Sequence, residues 1–230
     1  MRTIIIGDIH GGHRKLQNVL EQIRLGEEDR LILLGDLFDR GRESWEVFQT
    51  VRELAADFGD RFVLLRGNHE DYLLQEKLTW SQRRMWDKVG RKATIASFQE
   101  HGERMEDAAP WIREHCRLFY RDAEIQCVHA GLKVEPIEAN DTQTLVHDHS
   151  IVLQNLYDGP LTVVGHIALD APAWFAGDGE TAVKLSCGEW RPLPEKGILC
   201  IDTGCGKGGA LTAMILEEGR YLLVRSQSET

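Results

Sequence analysis

The sequence predicts an α/β fold with a parallel, helix-covered first half and a strand-rich second half. Three observations lead there. Up to about residue 75, short apolar runs alternate with amphipathic helical stripes; from Gln75 to Leu118 the pattern turns charged, tryptophan-bearing and mostly helical; beyond it, strand signals return at short intervals. A length of 230 residues suits one domain, 1–230, with the stretch at about 75–118 as a helical insertion or cap on it.

Thr3–Ile6, Leu31–Leu34 and Phe62–Leu65 read as the first strands, each a short apolar run that reaches a glycine turn within a few residues. Between them, Leu16, Val19, Leu20 and Ile23 recur at the i, i+3, i+4, i+7 spacing of one helix face, and Val47, Phe48, Val51, Leu54 and Ala55 form a second stripe. A βαβαβ run needs crossover connections, so these strands should be parallel. In the helical stretch, Trp80, Trp86 and Trp111 read as packing residues, with Gly90, Gly102 and Pro110 as punctuation. IQCVHAG, LTVVGH, ILCIDTG, ALTAMIL and YLLVRS follow without long helices between them, which predicts antiparallel hairpins and a second sheet.

Hydrophobic content of 42% and charged content of 28% exclude disordered, collagen-like and membrane classes. No apolar run approaches the roughly 20 residues that span a bilayer, and the short apolar stretch after Met1 breaks into polar residues too early for a signal peptide. A cytoplasmic protein is expected. The net charge of −10 repels polyphosphate backbones, so neither nucleic acid nor membrane is an expected partner, and any phosphate must be drawn in by a local site. The five cysteines, odd in number and without a CxxC, predict buried free thiols.

Several strands end in the same chemistry. GDIHG carries Asp8 and His10, GDLFDRG carries Asp36, Asp39 and Arg40, GNHE carries Asn68, His69 and Glu70, VHAG carries His129 and VGH carries His166. Each has a structural reading by itself: Asp8 sets a turn, Asp36 and Asn68 cap helices, and a lone histidine sits satisfied in a core. Together they would converge, because ligands in open α/β sheets sit beyond the carboxyl ends of the strands. Carboxylates mixed with imidazoles suit Mn²⁺, Fe²⁺ or Zn²⁺, and one carboxylate can bridge two such ions at about 3.5–4 Å. Water held there falls to a pKa of roughly 7, ready for in-line attack on phosphorus.

The series GDIHG, GDLFDRG, GNHE, HAG and GH, with VGRKATIASF and IDTGCGKGGALTAMIL, resembles the calcineurin-like metallophosphoesterases, and within them the small bacterial and phage serine/threonine protein phosphatases. The resemblance implies a four-layer α/β/β/α sandwich and two divalent metal ions, with Mn²⁺ the first expectation and Fe or Zn the others. It makes Asp8 and His10 ligands of one ion, Asp36 the bridge, and Asn68, His129 and His166 ligands of the other. It makes His69 the acid that protonates the leaving oxygen, with Asp39 holding its ring, and Arg40 the clamp on the phosphoryl oxygens. Glu70 is left with a supporting or helix-start role. The family's second phosphate-binding arginine has no counterpart, since residues 130–165 contain no arginine. LVHDHSI stands in that interval, with His147 or His149 at the arginine's place; His149 is taken as the substrate-binding candidate.

Other features carry no assigned chemistry. GCGKGG (Gly204 to Gly209) lacks the GxxxxGK[ST] pattern and reads as a hairpin turn. His13 and His101 show no partner. The expected function is a phosphatase acting on phosphoserine or phosphothreonine in proteins; the alternative is a nucleotide phosphoanhydride or diester hydrolase of the symmetrical diadenosine tetraphosphatase kind, which the missing arginine favours. Its partner is then a phosphorylated protein or a small phosphorylated substrate.

Overall fold

The structure is a computed structural model and describes residues 1–227. Strands β1 (Thr3–Ile6), β2 (Arg30–Leu33), β3 (Phe62–Leu65) and β4 (Cys116–Arg117) lie side by side and parallel. On the other edge of β1 the sheet continues antiparallel through β12 (Thr212–Glu217), β13 (Arg220–Arg225) and β10 (Trp190–Pro192). A second sheet runs in the order β5 (Phe119–Arg121), β6 (Gln126–Val128), β7 (Thr162–Val164), β11 (Ile198–Cys200), β8 (Ala173–Phe175) and β9 (Ala182–Lys184).

Alternation along each strand builds the layers. Ile4, Ile6, Leu31, Leu33 and Leu64 point to one face of the first sheet, where Leu16 and Val19 of α1 (His13–Ile23) and Val47 and Val51 of α2 (Ser44–Phe58) cover them. Ile5, Ile32, Val63 and Leu65 point the other way and meet Cys127, Val163 and Leu199 of the second sheet. Val128, Val164, Ile198 and Cys200 leave the far face of that sheet and pack on Leu145 and Val146 of α7 (Thr142–His147) and Ile151 and Val152 of α8 (Ser150–Gln154). The result is the four-layer α/β/β/α sandwich. It also explains why the strands are continuous apolar runs, since both faces are buried. Each fully buried aliphatic side chain contributes roughly 1.5–3 kcal/mol, so a polar group at Ile32 or Val163 would open the middle layer.

The helical insertion lies between β3 and β4. It follows α3 (Asn68–Leu74) and comprises α4 (Trp80–Lys88), α5 (Arg91–Glu100) and α6 (Ala109–His115). Two expectations need correction. The strand-rich half is not all hairpins: β6, β7 and β11 pair parallel, with short helices completing the β6-to-β7 crossover, and the β12–β13 hairpin joins the first sheet. GCGKGG is not a hairpin turn either, since β11 and β12 belong to different sheets and the glycines carry the chain across between them. The cysteines form no disulfide; Cys127, Cys200 and Cys205 are buried, and Cys116 and Cys187 partly so. Among the described residues no helix is long and apolar enough to cross a membrane.

Candidate metal centre

Beyond the carboxyl ends of β1, β2, β3, β6 and β7, the five glycine-bearing turns meet in one crevice. Asp8, His10, Asp36, Asp39, His69 and His129 are buried, and Asn68 and His166 partly so. The turns are forced: His10, Asp36, Asp39, Arg40 and His166 all have φ between +48° and +71°, a left-handed conformation that costs a non-glycine residue about 1–3 kcal/mol. Gly67 is needed for a different reason, because a Cβ there would collide with the Asp36 carboxylate.

Acceptors face acceptors around Asp36. The His10 ring donates from Nδ1 to the Phe38 carbonyl at 2.8 Å, and the His129 ring donates from Nδ1 to the Leu34 carbonyl at 2.8 Å. Burial holds both imidazoles below their usual pKa, so each Nε2 is a bare lone pair. Those lone pairs point at the carboxylate, His10 Nε2 lying 3.4 Å from Asp36 Oδ2 and His129 Nε2 lying 3.6 Å from Asp36 Oδ1. Asp36 Oδ1 also accepts the His69 amide at 3.0 Å, and the facing lone pairs form a donor set that would suit divalent cations. His166 Nε2 and Asp8 Oδ1 are likewise buried without a hydrogen-bond partner. Burial, followed by the nearby His129, pushes His166 down to about 2, which leaves its ring neutral as well.

Two groups of donor atoms result, each within 4.8 Å of one another: His10, Asp36 and His69, and Asp36, His129 and His166. Asn68 joins the second group, its Oδ1 2.9 Å from His166 Nδ1 and 3.3 Å from His129 Nε2. Asp8 stands outside both groups; its Oδ2 accepts the His166 amide at 3.0 Å. The residues present therefore fit two divalent ions that share Asp36.

His69 is wired differently from the other imidazoles. Its Nδ1 donates to Asp39 Oδ2 at 2.5 Å, and the same oxygen accepts the Trp86 indole at 2.6 Å. Thr94 Oγ1 donates to Asp39 Oδ1 at 2.6 Å and accepts the Asp39 amide at 2.8 Å. Burial works against a charge on His69, yet Asp36 and Asp39 overcome it and raise its pKa. His69 Nε2 is left buried and unpartnered, 3.9 Å from Asp36 Oδ2. Trp86 and Thr94 come from α4 and α5, so the insertion supplies half of this network. Sequence reading missed both, taking Trp86 for packing alone.

Glu70 ties two turns together. Its carboxylate accepts the amides of Asp36 at 2.7 Å, Leu37 at 2.8 Å and Gly67 at 3.0 Å. Burial and then the Asp36 charge push it up to about 7 despite those amides. Asp202, from IDTG, is a second acidic residue the motifs did not single out; it is buried, accepts the Gly204 amide at 2.9 Å and, after burial itself, adds to the rise in the pKa of Asp8.

Arg40 makes no hydrogen bond or ion pair among the described residues and is only partly buried, with its charge felt at Asp8, His10 and Asp202. The two histidines of LVHDHSI part company. His147 Nε2 is tied to Asp71 at 3.1 Å, whereas the His149 ring packs 4.4 Å from the His166 ring. His13 and His101 do have partners, Thr50 at 3.0 Å and Glu46 at 3.1 Å, both away from the crevice.

Comparison with known proteins agrees with this geometry. The family model for calcineurin-like phosphoesterases matches residues 1–198. A symmetrical bis(5'-nucleosyl)-tetraphosphatase from Thioalkalivibrio sulfidiphilus is 28% identical over 282 aligned positions, covering all of both chains. Its counterpart from Chromohalobacter salexigens is 29% identical, covering 96% of this chain and 97% of its own. Among solved structures, a metallophosphoesterase from Sphaerobacter thermophilus superposes with a TM-score of 0.68 at 18% identity, over 100% of this chain and 89% of that one.

Proposed function

Since this chain belongs to the calcineurin-like phosphoesterases and is a phosphoester-hydrolysing enzyme, we propose that its substrate is a dinucleoside polyphosphate, split symmetrically at the central phosphoanhydride. Water adds to one of the two central phosphorus atoms, the bridging P–O bond breaks, and diadenosine tetraphosphate yields two molecules of ADP. The observation that carries the substrate class is similarity along the whole chain to symmetrical tetraphosphatases. The lack of an arginine in residues 130–165 supports it, since a second guanidinium is what the resemblance to protein phosphatases called for. The phosphoprotein expectation gives way to its alternative on these grounds.

In this reading Asp8 and His10 would hold one divalent ion, Asn68, His129 and His166 would hold the other, and Asp36 would be shared between them. Two such ions acidify water to a pKa of roughly 7 and polarise the phosphoryl oxygens. Mn²⁺ is the first candidate, Fe and Zn the others. Arg40, unpaired beside them, grips the equatorial phosphoryl oxygens with a planar, permanently charged fork. His69 presents Nε2 to the departing oxygen and delivers its proton there, while Asp39 fixes the ring through Nδ1. Two features favour this role: a buried carboxylate favours the protonated ring, and Trp86 and Thr94 keep that carboxylate in place. His149 would take up part of the phosphate contact left by the absent arginine.

The test is hydrolysis by metal-stripped protein refilled with Mn²⁺, offered diadenosine tetraphosphate, a phosphoserine peptide and an aryl phosphate in parallel. The expected result is preference for the dinucleotide with ADP as sole product. Preference for the peptide, or ATP plus AMP from the dinucleotide, would overturn the reading.

A further inference from the structure

Beside the metal centre, on the His10 side, lies a groove of about 460 Å³ whose walls include Gly11, Gly12, Gly41, Gly206 and Gly208. That size falls in the roughly 300–1,000 Å³ range of small-molecule sites. Its glycines come from three separate motifs, GDIHGG, DRG and GCGKGG, and they are there because the loops touch. A Cβ on Gly206 would strike the His10 and Arg40 side chains, and one on Gly12 would lie 2.7 Å from Cys205 Sγ. The amides of Gly11, Gly12 and Gly41 are already spent on the Leu37, Ile9 and His10 carbonyls, so walls without side chains make room for an entering group and its charge falls to the side chains at the rim. The groove is also a cationic place in an acidic protein of net charge −10. Arg42 is exposed and makes no hydrogen bond or ion pair among the described residues, and Arg40 lies against Gly206 at the inner end. Lys15 Nζ pins the glycine turn by donating to the Cys205 and Gly209 carbonyls at 3.0 and 2.9 Å. The one acid, Glu43, is balanced by Arg14 at 3.2 Å.

We propose that this glycine-walled groove is a second phosphate subsite, which takes the diphosphate of the nucleotide on the far side of the bond being cut. It rests on the reading of the substrate as a dinucleoside polyphosphate and deepens it. A chain of phosphates centred on the ions must leave the crevice on both sides, and on this side it meets Arg40 first and Arg42 next. GCGKGG, which fails the phosphate-loop pattern, would thus contact phosphate through a different architecture: a turn between sheets, stapled by Lys15 and shared with two other glycine turns. A second cavity of about 580 Å³, lined by Lys15, Gly208 and Arg225 among others, adjoins the groove and leaves room for the nucleoside.

The test is Arg42→Glu in the Mn²⁺-loaded full chain, with Arg42→Lys as the conservative partner. Two quantities are read: the ratio of kcat/KM for diadenosine tetraphosphate to that for p-nitrophenyl phosphate, and the calorimetric affinity for ADP. Arg42→Glu should lower the ratio by about tenfold and weaken ADP by a similar factor, the size of one charge-assisted hydrogen bond, with partial recovery in Arg42→Lys. An unchanged ratio together with an unchanged ADP affinity would overturn the subsite. If the native chain fails to cleave the dinucleotide yet its ADP affinity still depends on Arg42, the groove stands and the substrate reading falls.

Discussion

The two flanks of Asp36 solve opposite problems with similar residues. On the His69 flank nearly every buried polar atom is matched: Asp39 receives His69, Trp86 and Thr94, and only His69 Nε2 is left open. On the flank of His129 and His166, lone pairs of Asn68, His129 and Asp36 confront one another, and His166 Nε2 has no partner. The first arrangement immobilises one ring and leaves it one task. The second is costly until a cation fills it, since unpaired buried polar groups cost roughly 1–3 kcal/mol each. In the proposed reading the two kinds of histidine also differ in what lies behind the ring: backbone carbonyls behind His10 and His129, the Asp39 carboxylate behind His69.

The largest effect should come from Asp36, which both flanks share. Asp36→Asn is expected to abolish turnover and weaken both ions by more than the roughly 10–100-fold typical of a residue that only supports a ligand. Metal analysis checks it, and a variant that keeps two ions and remains active would end the bridging assignment. Stability gives a second readout. Mn²⁺ at a hundredfold its dissociation constant should stabilise the native chain by about 2.7 kcal/mol, and that gain should vanish in Asp36→Asn.

His69→Asn separates the flanks. Turnover should fall by about 10²–10⁴-fold, the usual contribution of general acid catalysis, with metal content unchanged. Loss of an ion in this variant would mean that His69 belongs with the ligands, among which its position beside His10 and Asp36 would equally place it. The fall should be steeper for an alkyl phosphate than for the dinucleotide, because an alkoxide needs its proton more than a departing nucleotide phosphate does.

Trp86→Phe asks whether the insertion serves the chemistry or only packs. Removing the indole donor takes one of the charge-assisted hydrogen bonds from Asp39, worth roughly 1.5–3 kcal/mol, so kcat should drop by about tenfold or more while KM and metal content hold. A lower melting temperature with kcat intact would make Trp86 a packing residue after all.

What the sequence could disclose follows the range of the forces involved. The βαβαβ run was legible because its signal is local: Ile4 and Ile6 face helices while Ile5 faces the second sheet, and the run of isoleucines reports burial on both sides. That Asp8, His10, Asp36, Asn68, His69, His129 and His166 come together in one crevice was legible because each sits on a short motif at a strand end. Which strands pair, and in which sense, was not, since β6, β7 and β11 carry the same apolar pattern that hairpin strands would. Trp86 and Thr94 stayed hidden because they reach Asp39 across 47 and 55 residues, and nothing in WSQRRMWDK or RKATIASF marks a donor. The strained φ values at His10, Asp36, Asp39, Arg40 and His166 had no sequence signal, since none of these residues is a glycine.

The smallest effect concerns the outer edge of the second flank, and it tests whether that flank is specialised for substrate. The His149 ring packs on the His166 ring and makes no hydrogen bond among the described residues, whereas the His147 ring is committed to Asp71. If His149 stands in for the absent arginine, His149→Ala should raise KM for the dinucleotide by about three- to tenfold, the scale of one hydrogen bond, and leave kcat nearly alone. His149→Arg is the sharper variant. A guanidinium is permanently charged and forked where an imidazole offers at most one donor to a given phosphoryl group, so it should favour a compact monoester dianion over a phosphate bridged on both sides. Steady-state kinetics with p-nitrophenyl phosphate and diadenosine tetraphosphate should then show the monoester gaining relative to the dinucleotide. Unchanged selectivity in both variants would move the substrate away from His149 and leave Arg40, with the glycine-walled groove beyond it, as the side on which specificity is set.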